Sequence, residues 1–599
     1  MDVPIEETIT PLSQNCASMQ LPNPARSSTQ TYQYLPLKHE RDIRLLYLLP
    51  GSDGAPLSCS LSIVSLSELP VYEAISYTWG EPIFSASIEC FSKGQLPITE
   101  NLSKALFHMR FADRIRVLWV DAICINQQDL VERSHQVTLL RDTFERAENV
   151  IVWLGEDAGD ASEAFEILRT IYSSSSDYIY ILDLVNSERG KALRKLLGRS
   201  WFRRIWIVQE LVCARKATIK CGNHSMEWER FLDTAESLRD TRYYGMTSGQ
   251  SVYALQVLVN MRHDKKRREL MKTRHLEELL CGYRLCLASD PRDKVFALVG
   301  IAHGQIAAAY TPDYSKDVLE VYRDLAIRLI IAEQNPDALV HCAYIVGSKS
   351  PLLPSWVPDW SQTLSTNCSP MLNPGTYNAA GGTSFKGRLS EDLDELFLDG
   401  VILNKVEVLG GAWYFGALRD HPKKSIKRRI ELNEENLDMF RQSPRYRSCY
   451  WSAFTRALVA DRDHTGSRIG QRDLSEVYVT YRKYISQCLL SHQVMRRTRY
   501  LGEFGVTGEY QEILDLELAM DYVAYGRTFC LFDDGRAGWV PATAEVGDRV
   551  AIFLGATVPI LLRPRDNGYI VLGEAYVHEI MDGQAFEEPD VQIETITLI

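Results

Sequence analysis

Thirteen cysteines in 599 residues are too few and too scattered for a disulfide scaffold, and none stands in a C-x-x-C pair. No histidine pair has the H-E-x-x-H spacing either, so the familiar zinc signatures are missing and no metal is expected. No window approaches the ~18 apolar residues of a membrane span, and the opening MDVPIEETIT lacks the basic and apolar stretches of a secretion signal. These absences predict reduced thiols in a cytoplasmic protein that does not engage the membrane. Basic charge is also in deficit. With 66 Lys+Arg against 78 Asp+Glu the net charge is -12, which disfavours nucleic acid or anionic lipid as whole-surface partners. The chain has no phosphate loop of the G-x-x-x-x-G-K type, no G-x-G-x-x-G, no G-x-S-x-G and no kinase set, which argues against the common nucleotidases, dehydrogenases and serine hydrolases.

The length exceeds what one core organises, and two or three domains are expected. Residues 1–33 are rich in Pro, Ser, Thr and Gln and read as a flexible tail. From 34 to 225, short apolar runs at Glu73–Tyr77, Val117–Val120, Val150–Leu154 and Ala217–Lys220 alternate with helical patterns, which predicts an α/β domain with a parallel sheet. Val137, Leu140, Phe144 and Ala147 fall on one helical face between two of these strands. Residues 226–420 read as a mainly helical and then mixed region, and 421–520 as a charged insertion opened by Lys423, Lys424, Lys427, Arg428 and Arg429. Such a basic run is a solvated helix face or, less often, a nuclear-import or RNA-binding patch. In 521–599, turn signals such as Asp534-Gly535 and Asn567-Gly568 punctuate short alternating runs, the pattern of a small antiparallel β module.

Three dense segments sit at predicted strand ends or helix starts, where open α/β sheets place ligands. The first, Tyr72 to Gly80, ends a strand in Ser76, Tyr77, Thr78 and Trp79, which are either core and turn residues or the lining of a sugar or base pocket. The second runs from Leu118 to Gln136. Asp121 follows an apolar strand directly, so its carboxylate emerges at the sheet's carboxyl edge as a substrate group or a cap. Cys124 has no histidine near it in sequence other than His135, a weak case for a nucleophile. The third runs from Arg199 to Cys213. Read as one helix, Trp201, Ile205, Val208 and Val212 form an apolar stripe, Glu210 lies off it, and Trp206 and Glu210 stand side by side at i and i+4. No basic residue lies at i±3 or i±4 of Glu210. It therefore makes a tertiary ion pair, with Arg133 or Arg203 as partners, or it is functional.

Together the segments resemble the HET domain of fungal heterokaryon-incompatibility proteins. The likeness is carried by A-I-S-Y-T-W-G at 74–80, D-A-I-C-I-N-Q-Q-D-L-V-E-R at 121–133 and R-S-W-F-R-R-I-W-I-V-Q-E at 199–210. Further similarity to regions that follow HET domains lies in Asp290 to Leu298 and in Gly573 to His578. More distantly, the strand Ala74–Tyr77 and the Trp206-x-x-x-Glu210 spacing resemble TIR domains. That likeness implies a flavodoxin-like, TIR-related fold. It also implies Glu210 as the catalytic carboxylate of an NAD-hydrolysing site, with Trp206, Ser76, Tyr77 and Asp121 as substrate-binding residues.

The chemistry suits such residues, because cleaving the bond from nicotinamide to ribose passes through an oxocarbenium-like state that one carboxylate can stabilise. No cofactor is then needed, and NAD is the substrate. The resemblance further implies a role in non-self recognition and regulated cell death, an incompatibility partner protein, and homo-oligomer formation through the HET domain. Two other readings stand beside it: a non-catalytic scaffold in which Glu210 is structural, and a metal-dependent hydrolase using Asp121, Glu132 and Asp293.

Overall fold

A computed structural model describes residues 31–599. It omits the internal stretches 174–180, 182–183, 246–248, 305–308, 343–352, 363–375, 413–421, 447–449 and 491–507 and the single residues 53, 82, 92, 186, 273 and 590. Most of the tail read at 1–33 therefore lies outside the described residues, but Tyr32 is buried and Thr31 bridges Gln95.

The first of two sheets is built from β1 (Asp42–Leu48), β2 (Ser58–Ser65), β3 (Glu73–Tyr77), β4 (Ala86–Cys90), β5 (Gly94–Ile98), β6 (Arg116–Trp119), β7 (Asn149–Trp153), β8 (Ala217–Cys221) and β9 (His224–Glu227). Their order is β5-β4-β2-β1-β6-β3-β7-β8-β9. The centre, β6-β3-β7-β8, is parallel throughout. Strand β3 is accordingly buried along nearly its whole length, as expected of a strand covered on both faces.

The parallel sheet read from the sequence corresponds to this centre, and in the flank β2 and β4 also pair in parallel. β1 runs antiparallel to both β2 and β6, and β9 folds back on β8 through a tight turn at Gly222, whose φ of +53° suits glycine. The sheet is therefore mixed, because hairpins, which need no crossover helix, extend it at its flanks. The helix Leu130–Arg146 supplies the crossover from β6 to β7. Asp129 caps it by accepting from the N–H of Val131 and Glu132, and Val137, Leu140 and Phe144 are buried.

A mainly helical region follows, including Trp228–Gly245, Gly249–Glu269, Asp293–Val299 and Val318–Ile327. The second sheet comprises β10 (Gly387–Leu389), β11 (Leu396–Ala412), β12 (Arg527–Phe532), β13 (Ala537–Pro541), β14 (Arg549–Phe553), β15 (Ile560–Arg565), β16 (Gly568–Glu574), β17 (Tyr576–Val577) and β18 (Glu594–Leu598). β11 pairs with β14 as well as with β18, so β14, β15, β16, β18 and β11 close into a ring. The module is larger than the eighty C-terminal residues in which it was read. Its longest strand lies well upstream, and one of its pairings, β16 with β18, is parallel. The basic run opens the helix Pro422–Gln442; Lys427 and Arg428 are exposed, whereas Arg429 is buried between Glu517 and Asp521.

Candidate functional site

Strand β3 delivers Ser76 and Tyr77 to the carboxyl end of the parallel centre. Next to it β6 ends at Trp119, and Asp121 opens the single helical turn Asp121–Cys124. The third segment is not the continuous helix that its spacing suggested. Ser200–Arg203 forms a 3-10 turn, Arg204 is extended, and the α-helix spans only Ile207–Cys213. That helix is buried on every side, Glu210 included at 6% exposure.

Its burial puts Glu210 in a polar cluster. The Ser76 hydroxyl donates to Glu210 Oε2 and accepts from the Trp201 indole N–H at 2.9 Å. Because the chain turns at Arg204, this guanidinium folds back toward the helix. One nitrogen donates to the Tyr77 carbonyl and another stands 3.7 Å from Glu210 Oε1. The tertiary partner of Glu210 is therefore Arg204, not Arg133 or Arg203. A helical reading at i±3 and i±4 missed it because the pair is six residues apart and meets only through the broken turn.

Asp121 completes the group. Its Oδ2 accepts from the Trp79 indole at 2.8 Å and its Oδ1 from the N–H of Ala122 at 2.7 Å. Burial pushes the Glu210 and Asp121 carboxyls above the usual carboxylate range, and Arg204 is the main influence pulling each back down. The charge of Asp121 also raises Glu210. The Tyr77 hydroxyl is buried beside Asp121, and burial and the Asp121 carboxylate both oppose its ionisation. Ser76, Tyr77, Asp121 and Glu210 thus meet at one sheet edge around Arg204.

Trp206 takes another direction. Its carbonyl accepts from the Glu210 N–H at 3.1 Å, but its indole donates to Asp293 Oδ2 at 3.0 Å.

The metal triad is not assembled. Glu132 is held by both terminal nitrogens of Arg44 at 2.6 and 2.9 Å, Asp293 by Trp206 and Tyr314, and Asp121 by Trp79. Among the described residues no group of three or more His, Cys, Asp and Glu side chains could hold a metal ion. Cys124 is fully buried and its thiol is pushed up to about 12, while His135 hydrogen-bonds the Glu40 carbonyl, so a Cys124 nucleophile is not supported. No helix among the described residues is long and apolar enough to cross a membrane.

Residues 72–210, the stretch that carries every residue of this cluster, match the family described as heterokaryon incompatibility protein (HET). Residues 507–591 match the Het-6 beta-barrel domain, which agrees with the ring of strands. The chain is also 24% identical to heterokaryon incompatibility protein 6, OR allele, of Neurospora crassa, over 90% of this chain and 94% of that protein. No solved structure matches.

Proposed function

With a HET domain at one end of the chain and a Het-6 barrel at the other as the premise, we propose that the protein acts in fungal heterokaryon incompatibility, through a TIR-like hydrolysis of NAD at Glu210 that leads to regulated cell death. The observation that carries this reading is the Glu210 carboxyl, buried at the carboxyl edge of a parallel sheet and bound by Ser76, with Arg204 and Asp121 beside it.

A carboxylate drawn out of water exerts a strong field on a cation placed against it. As the bond from ribose C1′ to the nicotinamide nitrogen breaks, its electron pair leaves with nicotinamide and positive charge grows on the ribose. Glu210 opposes that charge. Water then adds at C1′ and its proton leaves to solvent, giving ADP-ribose. The cationic nicotinamide ring of NAD, placed against Glu210, also favours its ionised form and counteracts the effect of burial. Arg204 balances the two carboxyls before substrate arrives.

The test is nicotinamide release from NAD by the concentrated protein, wild type against Glu210→Gln, at matched circular dichroism. Release that vanishes in the variant supports hydrolysis at Glu210. An assembled wild-type protein that releases none defeats it.

A second reading has its own observation. Both carboxylate oxygens of Glu210 are engaged within the domain, as in a structural cluster that supports a non-catalytic scaffold acting by self-assembly and partner binding. That reading expects Glu210→Gln to retain incompatibility in the fungus, whereas catalysis expects it to be lost.

A further inference from the structure

The turn that carries Arg204 and leads into the Glu210 helix is gripped from outside the matched HET residues. Leu287 forms a two-bond backbone bridge with it: the Leu287 N–H donates to the Arg203 carbonyl at 2.5 Å, and the Ile205 N–H donates to the Leu287 carbonyl at 2.9 Å. One residue further on, the Trp206 indole is bound by Asp293, which is 7% exposed and also accepts from the Tyr314 hydroxyl at 2.5 Å.

Tyr314 is fixed in turn by the HET domain. Its N–H donates to Ser134 Oγ at 3.1 Å, and the Arg133 guanidinium stacks 3.8 Å from its ring centre while standing 3.6 Å from Asp290. Along the same helix, a Cβ on Gly300 would fall 2.2 Å from the Gln209 amide nitrogen, so the Gly300 backbone lies close against that side chain.

We propose that Leu287, Asp293 and Tyr314 form a clamp that sets the geometry of Arg204 and Glu210, and that Asp293 is its positioning residue. Asp293 touches neither Arg204 nor Ser76. It acts by anchoring Trp206, whose main chain begins the helix and whose neighbours Arg204 and Ile205 are pinned by Leu287. A HET domain cut at Glu210 or shortly after lacks every one of these contacts. The proposal deepens the reading of Glu210 as a working group and rests on it for the activity arm alone.

The experiment uses the full chain labelled with 15N-tryptophan, whose 11 indole signals are assigned by single Trp→Phe variants. Trp206 reports the Asp293 contact, Trp201 reports the Ser76 and Glu210 cluster, and Trp539, which donates to the Ala457 carbonyl beside the barrel, is the internal control. In Asp293→Asn the signals of Trp206 and Trp201 shift together while Trp539 stays in place. Tyr314→Phe, which keeps the ring under Arg133, produces smaller shifts of the same pair and carries the test if Asp293→Asn does not fold. Movement of Trp206 with Trp201 unmoved overturns the clamp, since the contact is then local.

In the activity arm, Asp293→Asn lowers kcat for NAD at least tenfold with KM within twofold of wild type. Unchanged kcat overturns the positioning role. If the wild type does not hydrolyse NAD, the proposed reaction fails, and the indole signals still decide the clamp.

Discussion

Ser76 has two roles at once. Its hydroxyl supplies the proton that satisfies Glu210 Oε2 and the lone pair that receives the Trp201 indole, all three side chains being buried. Ser76→Ala therefore strands two buried polar groups, and we expect a loss of ~1–3 kcal/mol in stability, measured by denaturant unfolding. A loss within error of zero would mean that water enters the cluster in its place. Ser76, Tyr77 and Asp121 were legible in the sequence because each sits at the end of a strand, where parallel sheets place ligands, whereas Glu210 was singled out from a helical stripe that the structure breaks at Arg204. Arg204 was not legible. Nothing in its spacing to Glu210 signals contact, and the 3-10 geometry that brings them together depends on Trp201 and Phe202 being buried, a tertiary effect.

Among the elements, the four central strands were read within a residue or so of their observed ends, since runs such as Val-Ile-Val-Trp are β-branched, aromatic and bounded by polar residues. The strand β11 was missed because Leu396–Ala412 crosses Gly400, Asn404 and Gly410-Gly411, which look like turn signals but lie inside a bulged strand. The joint between β1 and the helix Leu130–Arg146 shows why the E-R pair of the second motif matters structurally. The two terminal nitrogens of Arg44, 1% exposed, are held by Glu132 and by the carbonyls of Cys124 and Leu35. Glu132→Ala leaves that guanidinium buried without its counter-charge. A cost of about 3–5 kcal/mol is expected in denaturant melts, the range for breaking one side of a buried pair. A loss below 1 kcal/mol would show that Arg44 escapes to solvent.

For the whole molecule, the helical region and the barrel are joined through Pro336–Cys342. There Asp337 accepts from the Thr557 N–H at 2.9 Å and from its hydroxyl at 2.6 Å, and His341 is buried. Burial, helped by Arg284, lowers His341 to about 3. The unfolded chain then binds a proton that the folded one refuses between about pH 6.5 and 3, so His341 costs stability as pH falls through that window. Between pH 6.5 and 4.5 the cost is about 2 kcal/mol, because the unfolded imidazole is already half protonated at pH 6.5. His341→Gln should flatten the acid side of the stability profile by this amount, read as the difference between denaturant melts at the two pH values. Equal slopes in both proteins would refute it.

The ring of strands also has a kinetic side. β18 lies between β16 and β11, and Thr595 bonds Asp399 across 196 positions of sequence. At a synthesis rate of about 5–20 residues per second, β11 leaves the ribosome roughly 10 to 40 s before the strand that completes its pairing. Over that interval the Leu396–Gly400 stretch of β11, which pairs with β18, is an open strand edge, while the rest of β11 can already meet β14 and β12.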